Sequence, residues 1–221
     1  MKLVFHAIFK YAMGLLFVGA LLFLPAGGLD YMNGWLFIGL LFGPMLVLGA
    51  VLLIKAPALL EKRLGAKEKE RAQRGVVLAS GLLFIAGFTV AGLDFRFGWS
   101  RVPTWVVILA SAVLLVSYAL YAEVMRENAY LSRTVEVQKG QRVIDTGLYG
   151  VVRHPMYAVT VWLFLSIPLV LGSWWSLLCF LPYIPVIVVR IVNEERLLVR
   201  ELEGYADYRK RVKYRLLPFV W

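Results

Sequence analysis

The sequence predicts an all-α, polytopic membrane protein with four transmembrane helices followed by a C-terminal helical hairpin. The chain of 221 residues is 61% hydrophobic, whereas soluble domains are roughly 45–50% apolar. Its apolar residues are gathered into stretches close to the ~20 residues that span a bilayer. The last stretch, residues 157–189, contains no charged side chain.

Four apolar stretches precede that last one, at residues 5–24, 35–54, 75–93 and 102–121. Each is long enough for one membrane-spanning helix. The first could be a cleaved signal peptide, but Lys10 interrupts it, so we favour a retained helix. Residues 56–74 mix acidic and basic side chains at helical spacing. They predict a solvated amphipathic connector between the second and third spans.

The final apolar run is expected to fold back on itself. As one helix it would be roughly 50 Å long at about 1.5 Å per residue, against ~30 Å of hydrocarbon. Gly172-Ser173 lies near its middle and can turn the chain. The two arms, residues 158–171 and 174–189, are shorter than the other spans. We therefore expect that the arms tilt, that the bilayer is locally thinned, or that the arms enter the bilayer only part of the way. Such a hairpin returns the polar residues at its two ends, which include Arg153 and Arg190, to one membrane surface. We call these two groups of residues the polar clusters.

The distribution of charge predicts the orientation of the protein. The net charge is +10, and of the 24 Lys and Arg residues all but Arg96 and Arg101 fall on one side of the predicted spans. The positive-inside rule makes that side cytoplasmic, with both termini and both polar clusters. The same basic face would attract anionic membrane lipids, and it argues against nucleic acid as a partner.

We expect a single integral membrane domain over residues 1–221. Residues 1–125 form a four-helix scaffold, and residues 126–221 form a catalytic subdomain with a loop, the hairpin and a basic tail. Within the loop, residues 134–137 and 142–144 are β-prone and flank the turn signal Lys139-Gly140. A structured loop of this length in a small protein is typically functional.

Several chemistries are excluded by residue types alone. The only histidines are His6 and His154, and Cys179 is the single cysteine, so a zinc site and a disulfide framework are not expected. The sequence has no nucleophile-elbow, phosphate-loop or Gly-x-Gly-x-x-Gly motif. A cofactor would therefore be held by loops and helix ends at the membrane surface.

The polar residues at the ends of the hairpin are the candidate site. Arg190 and Glu194 are four apart and share a helix face, either as an ordinary salt bridge or as ligand contacts. Arg153-His154-Pro155-x-Tyr157 stands where the loop enters the hairpin. Taken singly these residues could be interface anchors, and His154 could be either a titrating base or a packed ring. Their convergence with Glu194 across the hairpin favours a functional role.

The spacing of these residues resembles the isoprenylcysteine carboxyl methyltransferase family and the related phospholipid methyltransferases. The resemblance covers roughly residues 120–218, and it is carried by Asn128-x-Tyr130, Gln138-x-x-Gln141-x-Val143, Gly147-x-Tyr149-x-x-x-Arg153-His154-Pro155-Met156-Tyr157, Arg190-x-x-x-Glu194-Glu195 and Tyr205-x-x-Tyr208. Gly150 stands where many relatives have arginine, and Gln141 stands where eukaryotic relatives have histidine. These two departures leave the substrate class open.

The resemblance implies S-adenosyl-L-methionine as the methyl donor, and no metal is expected from the residue types. Candidate cofactor-binding residues are Gln141, Arg142, Val143, Ile144, Tyr149, His154, Pro155, Met156, Tyr157, Glu194 and Glu195. Candidate catalytic residues are Arg190, Arg153 and His154, with Arg190 as the contact for an acceptor carboxylate. The expected acceptor is a lipophilic small molecule or lipidated substrate, most simply an isoprenylcysteine-like or other lipid carboxylate.

Three alternatives remain beside this O-methyltransferase. Phospholipid N-methylation is the rival within the family. A sterol-type membrane reductase would use NADPH in a similar pocket. A transporter or scaffold is disfavoured because the polar groups crowd one surface rather than lying deep in a span. The sequence leaves the oligomeric state open.

Overall fold

The computed structural model describes residues 2–65, 71–131 and 135–221. Over these residues the chain forms nine α-helices and one short 3-10 helix, Gly147–Gly150, without a β-strand. The α-helices are α1 Lys2–Ala26, α2 Met32–Lys55, α3 Pro57–Gly65, α4 Arg71–Phe97, α5 Thr104–Glu127, α6 Pro155–Val170, α7 Trp174–Phe180, α8 Tyr183–Glu201 and α9 Tyr205–Arg211. The predicted all-α class is confirmed.

Long apolar helices dominate the fold. Among the described residues, five helical segments are long and apolar enough to cross a membrane: Lys2–Ala26, Met32–Lys55, Arg74–Phe97, Thr104–Glu127 and Trp174–Glu201. Helix α6 is apolar but shorter. Large apolar side chains such as Phe5, Ile54 and Trp105 point outward, as lipid-facing residues do.

The hairpin turns where the sequence predicts, but its second arm differs from expectation. Gly172 has φ +78° and follows α6, and Ser173 N donates to the Pro168 carbonyl at 3.0 Å. This bond and the left-handed glycine close the helix end. The second arm breaks after Phe180, before Pro182, and then continues as α8 to Glu201. The helix thus runs past the apolar arm, residues 174–189, into the charged segment, as expected for a second arm that emerges into water.

A buried hydrogen-bond network lies at the end of the bundle opposite to the candidate site. Asp94 is 2% exposed and accepts hydrogen bonds from Ser100 N at 2.7 Å and from the Ser100 and Ser173 hydroxyls at 2.6 and 2.5 Å. Tyr31 donates its hydroxyl to the Leu171 carbonyl. Because these bonds join α2, α4 and the hairpin turn, they hold the two arms against the first helices.

The connector after α2 and the loop between α5 and α6 both lie near the candidate site. Helix α3 begins at Pro57, and its Arg63 donates to the Tyr121 hydroxyl on α5. In the loop, Lys139-Gly140 forms the expected turn, with φ +74° at Gly140. Residues 135–137 and 142–144 are irregular rather than paired as strands, and Thr134 lies outside the described residues.

Candidate active site

A polar cavity lies where the C-terminal ends of α5 and α8 meet the N-terminal end of α6. We call it the site cavity, and it is lined by Asn128, Tyr130, Leu131, Val135, Glu136, Gln141, Arg142, Val143, Ile144, Tyr149, Arg153, His154, Met156, Tyr157, Glu194, Leu198 and Leu202. The tertiary structure thus brings ten of the thirteen candidate cofactor-binding and catalytic residues around one cavity. Pro155, Arg190 and Glu195 are not part of its lining.

Residues 135–145, the covering segment, form the outer wall of the site cavity. Gln138 N donates to Oε1 of Gln141 at 2.8 Å, and the Gln138 amide donates to the Tyr130 carbonyl at 2.5 Å. Val137 and Val143 pack on the apolar cluster around Leu198 and Leu202. The segment is therefore folded on itself and lies against the end of α8.

The 3-10 helix presents Tyr149 to the site cavity. A carboxylate oxygen of Glu127 accepts from Leu148 N at 3.0 Å, and Asn128 Nδ2 donates to the Tyr149 hydroxyl at 2.9 Å. Tyr208 donates to the Tyr149 carbonyl at 2.7 Å. Burial raises the pKa of the Tyr149 and Tyr208 phenols well above their usual range. Both phenols therefore stay neutral at physiological pH.

Gly147 permits this arrangement, since its φ is +52°. A Cβ there would overlap Oε1 of Glu127. Glycine is the residue that tolerates both the left-handed backbone and the close approach.

Glu195 is the centre of a buried ion cluster below the cavity. The carboxylate is 3% exposed, with Oε1 at 2.7 Å from Arg153 Nε and Oε2 at 2.9 Å from Arg215 Nε. Arg153, itself 7% exposed, also donates through Nη1 to the Val212 and Lys213 carbonyls at 2.7 and 2.8 Å. We infer that Arg153 and Glu195 tie α8 to the C-terminal tail and so position the site, while Arg153 also borders the site cavity.

His154 is held between the tail and Glu195. Its backbone N donates to the Arg215 carbonyl at 2.9 Å, and Nε2 lies 3.4 Å from Glu195 Oε1. The ring is 5% exposed yet borders the site cavity. Pro155 follows as the first residue of α6, where a missing N–H costs nothing. This places the His154 ring at the cavity wall.

Tyr157 connects the two residues that the sequence places on one face of α8. Its hydroxyl accepts from Arg190 Nε at 2.9 Å and donates to Glu194 Oε2 at 2.5 Å. The Arg190 guanidinium also lies 5.7 Å from the Tyr157 ring centroid, within the range of a cation–π contact. Since Tyr157 comes from α6, this contact joins both arms of the hairpin at the site.

Arg190 opens into a second cavity, which we call the Arg190 cavity. It is bordered by α3, α4, α5, α6 and α8, and Met156 and Tyr157 line both this cavity and the site cavity. A third, apolar cavity between α2, α5 and α6 adjoins it through Arg63, Tyr121, Thr160 and Phe164. Each cavity thus shares lining residues with the next, from the polar site cavity to the apolar one.

Several residues of this site were missed by sequence reasoning. Leu198 and Leu202 follow Glu194 at intervals of four, so helical spacing could have placed them on the same face. Arg63 and Arg215 carry no local signal, because each reaches the site only through a tertiary contact.

The fold and the site together define an integral membrane protein with a polar cavity at one end of its helices. Residues 104–203 match the sequence model of the phospholipid methyltransferase family. This match, which runs from α5 through α8, confirms the resemblance to the membrane methyltransferases and implies a methyltransferase. A search of curated proteins finds no match to the chain.

Proposed function

We propose that the protein transfers a methyl group from S-adenosylmethionine to a lipophilic acceptor with an anionic group, most simply a carboxylate. The observation that carries this proposal is the meeting of two cavities at Tyr157. Glu194 stands on the side of the polar site cavity, and Arg190 stands on the side of the cavity that leads between the helices. A polar methyl donor and a lipophilic methyl acceptor would need two such cavities with a shared wall.

The side chains of the site cavity suit this cofactor chemically. Val143, Ile144 and Leu198 offer an apolar surface for an adenine ring, and the Glu194 carboxylate can accept hydrogen bonds from hydroxyl or amino groups. The cavity volume is about 100 Å³, below the ~300–1,000 Å³ of typical small-molecule sites. We therefore expect the covering segment, residues 135–145, to move outward from α8 when the cofactor enters.

Positioning is the main contribution of the protein residues. The bound cofactor supplies a methyl group that its sulfonium already activates, so orientation and proximity provide much of the rate gain. Arg190 would hold the acceptor anion beside the shared wall. Its positive charge would also keep a carboxylate ionised and nucleophilic. Tyr157 and Glu194 hold the Arg190 side chain at the entrance through the hydroxyl bridge.

The proposed orientation places the site cavity and both termini in the cytoplasm, following the positive-inside rule. S-adenosylmethionine would then enter from the cytoplasm, and the acceptor would enter from the bilayer.

Phospholipid N-methylation is the second candidate, and the family match over residues 104–203 favours it. The two reactions give products that differ in chemical stability. Incubation with methyl-labelled cofactor and a lipid extract, followed by mild alkali, releases label from a methyl ester as volatile methanol. An N-methyl product keeps its label and would establish the second candidate.

The cofactor assignment is tested by calorimetric titration of the detergent-purified protein with S-adenosylhomocysteine, with NADPH as the control. Micromolar binding of S-adenosylhomocysteine alone supports the proposal. Binding of NADPH instead would move the protein to the reductase alternative. Folded protein that binds neither would contradict a cofactor site in this cavity.

A further inference from the structure

We propose that Arg63 of α3 is a second anchor for the anionic group of the acceptor, and that the acceptor is a single-chain anionic lipid. This inference rests on the proposed function and extends it to the class of substrate. Arg63 lies well before the segment that matches the family, which begins at residue 104.

The Arg63 side chain has unused hydrogen-bonding capacity. Nη2 donates to the Tyr121 hydroxyl, and the guanidinium carbon lies 5.3 Å from the Tyr121 ring centroid. Nη1 is buried and has no hydrogen-bond partner among the residues that the structure describes. A buried donor without a partner is rare in folded proteins and costs stability. An anionic oxygen is the partner that a guanidinium prefers.

The position of Arg63 supplies a place for such an oxygen. Arg63 and Arg190 both line the Arg190 cavity, and among its described lining residues they are the charged ones. Ser80 and Thr160 are further hydroxyl-bearing residues of that lining. Two guanidinium groups around one apolar-walled cavity complement a carboxylate or phosphate more strongly than a neutral headgroup.

The adjoining apolar cavity supplies a place for the lipid chain. Its volume is about 500 Å³, and along α2 its lining extends from Leu41 to Leu52. At 1.5 Å per residue this distance is roughly 16 Å, which suits one extended hydrocarbon chain. Arg63 also lines this cavity. A ligand held by Arg63 and Arg190 can therefore extend its chain along α2.

The test compares three lipids with the same chain and different headgroups: oleic acid, oleoyl lysophosphatidic acid and oleyl alcohol. Equilibrium binding of tritiated forms to detergent-purified protein is measured for wild type, Arg63→Gln, Arg63→Lys and Lys55→Gln. Lys55 is the matched control, since it is an exposed cation at the end of α2 and lies outside the three cavities. S-adenosylhomocysteine binding is measured on every variant as a check of the fold and of the cofactor site.

Wild type should bind at least one of the two anionic lipids about 10-fold more tightly than the alcohol, and Arg63→Gln should remove most of that preference. Binding of the alcohol should change less than twofold. Lys55→Gln should keep the preference, and Arg63→Lys should retain part of it. The anionic lipid that binds more tightly identifies the headgroup as carboxylate or phosphate.

Equal loss of all three lipids in Arg63→Gln would overturn the inference and leave Arg63 as a packing residue beside Tyr121. An unchanged preference for the anionic lipids in this variant would overturn it as well. Failure of wild type to bind S-adenosylhomocysteine would instead contradict the proposed function, so the two failures are distinguishable.

Discussion

The adjacent glutamates of α8 provide a sharp test, because the structure gives them different partners. Glu195 is 3% exposed and joins Arg153 and Arg215, whereas Glu194 lines the site cavity and accepts from Tyr157. Glu195→Gln keeps the shape of the side chain and removes its charge. We therefore expect it to lower stability, and we expect Glu194→Gln to lower cofactor affinity.

The magnitude follows from the burial of Arg153. Removing one partner of a buried ion pair costs about 3–5 kcal/mol, because the other charge stays buried and uncompensated. Arg153 keeps its bonds to the Val212 and Lys213 carbonyls, and the side chain of Arg215 is 27% exposed and can be rehydrated. We therefore expect Glu195→Gln to lower the free energy of unfolding by about 3 kcal/mol, the lower end of this range. For a chain of this size that corresponds to a fall in Tm of roughly 6–12 °C.

The assay is thermal unfolding in detergent, followed by circular dichroism, combined with calorimetric titration of S-adenosylhomocysteine. Glu194→Gln should keep its Tm within about 2 °C of wild type and lose roughly 10-fold in affinity, as expected for a hydrogen bond to a charged group. If Glu195→Gln unfolds at the wild-type temperature, the ion cluster does not hold the tail as described. Identical behaviour of the two variants would refute the division of roles.

Three further predictions concern other parts of the chain. Arg190→Lys should lower kcat more than it weakens S-adenosylhomocysteine binding, because lysine lacks the bidentate fork that orients an anion; equal losses in a methyl-transfer assay and a titration would contradict this role. Gly147→Ala should destabilise the protein by at least ~1 kcal/mol, since the left-handed backbone and the contact with Glu127 both disfavour a Cβ; an unchanged Tm would show that the turn can relax. Asp94→Ala removes the acceptor of buried hydrogen bonds from Ser100 and Ser173 and should lower Tm by several degrees while leaving S-adenosylhomocysteine affinity unchanged; a large loss of affinity would mean that this end of the bundle is coupled to the site.

The covering segment shows that residues with β propensity need not form strands. Its turn at Lys139-Gly140 is correctly predicted because glycine is free to adopt a positive φ. The β-prone residues on either side do not form strands in the described part of the segment. Among the described residues they have no partner strand, and Val137 and Val143 pack on the end of α8 instead. Local propensity identifies extended backbone, but pairing needs a second strand, which the described part of the chain does not provide.

What the sequence determined by itself is the class of protein and the end of the bundle that carries the candidate site. Apolar stretches of membrane length, a hairpin turn at Gly172-Ser173 and polar clusters at both ends of residues 157–189 depend only on local composition and on the length of a helix.

The tertiary structure decided what each polar residue does. Glu194 and Glu195 are neighbours with the same chemistry, yet one faces a cavity and the other is enclosed by Arg153 and Arg215. Adjacent residues of a helix point in directions about 100° apart, so their surroundings are set by whatever packs on each face. Arg63 reaches the Arg190 cavity from α3 for the same reason. Spacing along the chain selects the residues, and only packing between distant segments assigns their partners.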